Sequence, residues 1–377
     1  MIYFDNAATT FPKPMAVKTA SETFFNKYGG NPGRGGHTLS IETAKQIYET
    51  REAVKNLFNA ESEEDVVFTQ NCTNSTNIVI NGLLKQGDHV IISDMEHNSV
   101  SRPVDRLARE GIITYDIAKT YDDDLKTLQS FKSLIKPNTR LIITIHASNI
   151  LANVVPIELI GNLCNQNNIF FMVDAAQSAG IINIDVQKQN IDFLCVAAHK
   201  GLYSATGMGI LVTDKGELLR PLMVGGTGSQ SSSQMQPDFM PDRLESGTGN
   251  TLGIITLKAG IDFLNKQGIN KLYEKELILA KNLYDGLSAI SKVTLYSAYP
   301  EPDKAVPVVA FNVEGYTSEE ICAYLNNKEI CLRAGLHCAP LAHQKANTLE
   351  LGMARASFGA FNNANEVKKL VNYIKNS

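Results

Sequence analysis

The chain has 377 residues, 44% of them hydrophobic, and its 35 basic and 39 acidic side chains give a formal net charge of -4. That balance, with Lys and Arg dispersed along the chain, excludes the basic footprint of a nucleic-acid binder, and the length allows two domains with sizeable cores. No run of about 18 apolar residues offers a membrane span, and Met1-Ile-Tyr-Phe-Asp-Asn-Ala-Ala lacks the charged and apolar regions of a signal peptide, so a cytoplasmic location is expected.

In chain order, residues 40–57 read as a helix. Short apolar runs then alternate with helical patterns: Asp65-Val-Val-Phe-Thr, His89-Val-Ile-Ile-Ser, Arg140-Leu-Ile-Ile-Thr-Ile, a helix over 156–167, Ile169-Phe-Phe-Met-Val-Asp174, Asp192-Phe-Leu-Cys-Val and Gly209-Ile-Leu-Val-Thr. Near-continuous apolar strands separated by helices predict an α/β fold whose mostly parallel sheet is covered on both faces. After Gly225-Gly226 a polar stretch over 227–235 reads as a lid, a subunit contact or a plain surface loop. Helical spacing returns over 251–266. Lys292-Val-Thr-Leu-Tyr, Val306-Pro-Val-Val-Ala-Phe-Asn and a helix over 366–374 then add a smaller α/β domain. The expected division is a large domain over 15–255 and a small one built from 1–14 and 256–377.

In an open α/β sheet, ligands gather outside the carboxyl ends of the strands, so polar residues that follow the apolar runs are the ones to inspect. Asp174 ends one run and is followed by Gln177; His199-Lys200 follows another. Thr69-Gln-Asn-Cys72-Thr73-Asn opens a predicted helix, His97 lies in Asp94-Met-Glu-His-Asn after a third run, and Ser148-Asn149 follow a fourth. Singly, a Lys after a strand is usually solvated, a strand-end Asp caps a helix and a lone His satisfies a turn. Together they are complementary. A Lys amine can hold a carbonyl cofactor as a Schiff base, an Asp can keep a pyridinium nitrogen protonated, and a Ser/Thr-rich helix N-terminus can cradle a phosphate. Those needs are the needs of pyridoxal phosphate.

The chain resembles, nearly end to end, the cysteine desulfurases and selenocysteine lyases of the class V aminotransferase family. The likeness is carried by Tyr3-Phe-Asp-Asn-Ala-Ala-Thr-Thr, Arg34-Gly-Gly-His-Thr-Leu-Ser, Val173-Asp-Ala-Ala-Gln-Ser, His199-Lys-Gly, Glu245-Ser-Gly-Thr-Gly-Asn-Thr and Arg355-Ala-Ser-Phe. It implies the aspartate-aminotransferase-like fold of pyridoxal-phosphate enzymes. It further implies that Lys200 carries the cofactor and moves protons, that Asp174 pairs with the pyridine nitrogen and Gln177 with the ring hydroxyl, and that His97 stacks on the ring. Thr73, with its neighbouring amides, and His199 would hold the phosphate, Cys72 would line the pocket, and Thr248 would reach the phosphate from the partner of a homodimer. Asn149 and Arg355 would bind the substrate carboxylate, Arg355 by a charge-assisted pair. The alternative for Arg355, a surface residue, fits poorly with the small apolar setting of Met353-Ala and Ala356-Ser.

Six cysteines, at 72, 164, 195, 322, 331 and 338, form no CxxC pair and are expected as free thiols. Cys164, Cys195 and Cys322 read as core and Cys331 as strand packing. Cys338, in Arg333-Ala-Gly-Leu-His-Cys338-Ala-Pro, matches the family's nucleophile. The resemblance implies that its thiolate takes sulfur from L-cysteine, or selenium from selenocysteine, as a persulfide, releases alanine, and passes the sulfur to an acceptor protein, with iron–sulfur cluster assembly an implied destination. Transamination or another β-elimination, with Cys338 incidental, and a non-catalytic interaction protein are the competing classes. A metal site from His337, Cys338 and His343 would lack a fourth ligand nearby, and none is predicted. Two departures from the family pattern stand out: Asn71-Cys-Thr73-Asn where Gly-Ala-Thr-Glu is common, and Gly335-Leu-His-Cys where Gly-His-His-Cys is common. The cysteine loop is short, which implies that an acceptor comes to the thiol.

Overall fold

The computed structural model describes residues 1–33 and 36–377, so Arg34 and Gly35 of the motif beginning at 34 lie outside the described residues. The chain opens with β1 (Ile2–Tyr3), α1 (Met15–Lys27) and α2 (Thr38–Phe58), and then winds the large sheet through β2 (Val66–Thr69), α3 (Cys72–Leu83), β3 (Asp88–Ser93), α4 (Asn98–Arg109), β4 (Ile113–Ala118), α5 (Asp124–Ser133), β5 (Thr139–Ile145), α6 (Ile157–Gln166), β6 (Phe170–Asp174), β7 (Phe193–Ala197) and β8 (Gly209–Val212). After a long irregular segment come α7 (Thr251–Gln267), α8 (Ile269–Ser288), β9 (Val293–Leu295), β10 (Val308–Val313), α9 (Ser318–Asn326), β11 (Ile330–Cys331), α10 (Pro340–Lys345), β12 (Ala354–Ser357) and α11 (Ala364–Lys375).

The large sheet has seven strands in the order β2-β8-β7-β6-β5-β3-β4. β8 runs antiparallel to both β2 and β7, and the other pairings are parallel, so only β8 is reversed. The predicted apolar runs become these strands because helices bury both faces: β5 to β8 are buried almost throughout. β4, at the edge, is half exposed, and its sequence Ile-Thr-Tyr-Asp-Ile-Ala carries no continuous apolar run to mark it.

The smaller domain sets β12-β10-β9 against α8, α9 and α11, with Leu283, Val309, Phe311, Ile321 and Leu370 in its core. The first residues close it: β1 pairs in parallel with β11, and Phe4 packs against Phe358. α7 belongs elsewhere, since Ile254, Leu257, Ile261 and Leu264 join the core of the large sheet. α7 buries its apolar face against α1 and α2, whereas Leu279, Leu283 and Leu287 of α8 join the core of the small domain, with Ile269 and Leu272 at the start of α8 still packed on the large one. Among the described residues no helix is long and apolar enough to cross a membrane.

Candidate active site

Five strand ends of the large sheet meet at one edge, because β2, β3, β5, β6 and β7 all run the same way. Asp174, at the end of β6, is 1% exposed. Its Oδ1 accepts from the Ala176 amide at 2.9 Å and the Cys72 thiol at 3.4 Å, and its Oδ2 accepts from the Ser99 hydroxyl at 3.2 Å. Burial and the Asp174 charge push the Cys72 thiol well up, so it stays a neutral donor.

Ser99 links this carboxylate to His97. The His97 imidazole caps α4, its Nδ1 accepting from the Ser99 amide at 3.0 Å and lying 2.9 Å from the Ser99 hydroxyl. A nitrogen that accepts from a backbone N–H carries no proton, so the neutral ring holds its hydrogen on Nε2. Burial drives the His97 pKa down, with the Asp174 charge opposing it and Lys200 and Arg102 adding to it, which favours the neutral form. One residue earlier, Glu96 is fully buried and ties the ends of β3 and β5 together by accepting from the Ile145 amide at 2.7 Å and from the Ser93 hydroxyl. Burial raises its carboxyl to about 8.

Lys200 sits on the turn that follows β7. Its amine is pushed below the usual lysine range by burial, while Asp174 favours the charged form and Arg355 and Arg333 oppose it. The turn is held from above by the N-terminal segment: Thr10 donates its amide to His199 O and its hydroxyl to Lys200 O, and Lys13 donates to His199 O at 2.7 Å. A Cβ at Gly201 would fall 2.2 Å from the Ala179 oxygen, so the loop after Asp174 and the Lys200 turn pack backbone against backbone only because that side chain is absent. Gln177 donates to Ala7 O at 3.0 Å, which fixes its amide beside the same turn.

Thr73 is exposed in the first turn of α3, where amide N–H groups have no acceptor within the helix. Asn71 caps that helix by accepting from the Asn74 amide at 2.9 Å. Thr248 is exposed too, in a cleft of about 640 Å³ that it shares with Gln70, Asn74 and Asn31.

The cysteine loop is tied down at every residue that matters. Arg333 and Gly335 exchange backbone hydrogen bonds with Arg355 and Met353, the amide of Ala339 donates to Leu336 O, and α10 follows at once. His337 and Cys338 both adopt the left-handed region, with φ of 51° and 55°. Such residues cost on the order of 1–3 kcal/mol each unless their surroundings hold them. Here the Asn149 side chain donates from Nδ2 to His337 O at 2.8 Å, and the Asn98 backbone amide donates to Cys338 O at 2.8 Å. The corner turns the His337 ring inward and leaves Cys338 exposed. Burial holds the His337 imidazole at about 2, so it stays neutral.

Arg355, on β12, is 2% exposed and reaches two ways: NH1 donates to Asn149 O at 3.0 Å and NH2 to Asp5 Oδ1 at 2.7 Å, while Nε has no partner among the described residues. Asn149 Oδ1 and His199 Nδ1 are likewise buried without a partner.

The aminotransferase class-V family matches residues 2–370. The chain belongs to that family. It is 32% identical to a probable cysteine desulfurase of Methanothermobacter thermautotrophicus, covering 98% of this chain and 92% of that one, and 33% identical to a probable cysteine desulfurase of Pyrococcus abyssi, covering 100% and 94%. The apo cysteine desulfurase of Thermococcus onnurineus NA1 superposes with a TM-score of 0.91 at 31% identity, over 100% of this chain and 94% of that one.

Class V aminotransferases depend on pyridoxal phosphate, and the residues here fit it. Asp174 offers a fixed carboxylate, Lys200 a partly buried amine with a lowered pKa, and α3 an open N-terminus with Thr73, while His199 Nδ1, Asn149 Oδ1 and Arg355 Nε are buried polar atoms waiting for a ligand. Around these expected residues the structure adds three that the sequence reading assigned no role. Ser99 signals itself only as a hydroxyl two residues after a capping His, Glu96 only as one acid in Asp94-Met-Glu-His, and Asp5 only as part of the quoted N-terminal motif.

Proposed function

We propose that the chain is a pyridoxal-phosphate-dependent cysteine desulfurase that moves the sulfur of L-cysteine onto Cys338 and releases L-alanine. The observation that carries this reading is the pinned corner at Cys338, an exposed thiol whose backbone is bonded to the turn of His97 and, through His337 and Asn149, to Arg355. When bound, pyridoxal phosphate supplies the electron sink that makes the substrate's carbon–sulfur bond cleavable. Asp174 would hold the pyridine nitrogen, Gln177 the ring hydroxyl, His97 a ring face, and Thr73 and His199 the phosphate, with Cys72 lining the pocket beside Asp174.

Arg355 and Asn149 bind the substrate carboxylate, which orients the α-carbon. Lys200 takes the α-proton and returns a proton, a role suited to an amine whose pKa burial has lowered. The Cys338 thiolate then attacks the substrate sulfur: a sulfur–sulfur bond forms, the carbon–sulfur bond breaks, and its electron pair takes a proton at the β-carbon. Cysteine and a thiol become alanine and a persulfide, with no external oxidant.

A fixed corner favours an acceptor protein that docks at Cys338 over a loop that travels, and iron–sulfur cluster assembly is one consumer of such sulfur. A homodimer fits the exposed apolar residues Leu39, Ile41, Met223 and Val224, which sit on α2 and the irregular segment flanking the Thr248 cleft. That arrangement gives Thr248 a partner site to reach. A cytoplasmic location accords with six free cysteines.

The test is to mix the cofactor-loaded protein with cysteine and a reductant and to measure alanine and sulfide together; equal yields are expected. Cys338→Ala is expected to keep the yellow cofactor absorbance and to lose sulfide release by at least about a hundredfold. Sulfide release from that variant at the parental rate would overturn the reading.

A further inference from the structure

We propose that Asp5 is a positioning residue for the substrate carboxylate, holding Arg355 so that its unpaired edge faces the ligand; the inference rests on the desulfurase reading above. Arg355 is a buried cation, and burial acts to lower its pKa, with the Asp5 carboxylate the main group that opposes this. A buried charge left without its partner is strongly disfavoured. Asp5 accepts from Arg355 NH2 at 2.7 Å through one oxygen, and its other oxygen lies 3.9 Å from NH1 of Arg333, which is exposed. One carboxylate thus spans the substrate arginine and the arginine at the base of the cysteine loop.

Asp5 is itself held firmly. Its backbone bridges to Ser357 beside Arg355, the Ser357 amide donates to Phe4 O, the Ser357 hydroxyl accepts from the Ala7 amide, and Tyr3 Oη donates to Asp5 O at 3.2 Å. With NH1 on Asn149 O and NH2 on Asp5, the planar guanidinium is held in place, and Nε is its one nitrogen without a partner among the described residues. A substrate carboxylate supplies the acceptor that this edge lacks. The opposite role, a stand-in that occupies the arginine and must be displaced by substrate, predicts the reverse sign on substitution.

Asp5→Asn preserves size and backbone and removes the charge. In the cofactor-loaded enzyme it is expected to raise KM for cysteine about 10- to 100-fold and to lower kcat by less than about threefold, because the lost interaction serves binding. Asp5→Glu should recover part of the affinity. Binding is read separately by the cofactor absorbance change on titration with cysteine and with cysteamine, which lacks the carboxylate; half-saturation with cysteamine should be unchanged. A KM that is unchanged or falls, or an equal loss for cysteine and cysteamine, overturns the proposal. Arg333→Gln, at the surface, provides a second variant should Asp5→Asn fail to fold, with a KM increase of a few-fold expected and an unchanged KM overturning it. If the parental protein releases no alanine or sulfide, the desulfurase reading falls, while the contrast between the two ligands still decides the role of Asp5.

Discussion

Asp174 shows how short polar side chains set up a charged residue inside an apolar sheet. Its oxygens are met by one backbone amide, one hydroxyl and one thiol, and among the described residues no lysine or arginine lies in an ion pair with it. The negative charge is stabilised by dipoles and is left available for a cationic ring nitrogen. Ser99 is the donor that also touches His97, so Ser99→Ala should act on both. The capping bond survives, since it comes from the backbone amide of residue 99. Loss of one hydrogen bond to a buried carboxylate is expected to cost about 1–3 kcal/mol of stability and to slow turnover about tenfold. Thermal melts and steady-state rates check this, and a variant matching the parent in both would show that Ser99 is dispensable. Ser99 was not legible as a site residue, because a serine in the first turn of a helix is ordinary chemistry until the fold brings a carboxylate to it.

At the level of elements, the start of α3 is placed by β8. A Cβ at Gly209 would fall 2.4 Å from the Asn71 carbonyl carbon and 2.5 Å from the Thr69 hydroxyl, so the first residue of β8 must be glycine for the α3 N-terminus to sit where it does. Gly209→Ala is expected to push the segment from Thr69 to Thr73 outward and to weaken cofactor binding at least about tenfold, as a cradle misplaced by a fraction of an ångström loses its donors. Equilibrium dialysis of apoprotein against pyridoxal phosphate measures it; an unchanged affinity would separate the cradle from the strand. The strands of the large sheet were legible because burial on both faces demands continuous apolar runs. β4 was not, since an edge strand needs only one buried face, and the cores that α7 and α8 serve were not, since the two helices carry similar patterns and only their packing tells them apart.

For the whole molecule, buried carboxyls make stability depend on pH. Glu276 on α8 is buried among Tyr273, Tyr203 and Leu272, and burial raises its carboxyl from the ordinary 4.5 to about 8. The folded state then holds a proton that the unfolded chain releases, so stability is full below about 4.5 and falls as pH rises towards 8. Glu276→Gln cannot ionise and should flatten part of this slope. Its melting temperature is expected to match the parent near pH 5 and to exceed it by several degrees near pH 8.5, in line with a penalty on the order of a few kcal/mol. A constant offset across that range would place the effect in packing.

By itself the sequence determined the class of fold and singled out Asp174, Lys200 and Thr73 as candidate cofactor residues and Cys338 as the candidate thiol, because strand periodicity and strand-end chemistry are local properties. The tertiary structure alone decided the rest. It turned His337 inward and Cys338 outward by placing Asn149 and Asn98 against two left-handed residues, and it brought Asp5 from the N-terminus to Arg355 near the other end of the chain. Contacts between residues hundreds of positions apart leave no periodicity to read, since they exist only once two separate cores have closed on each other.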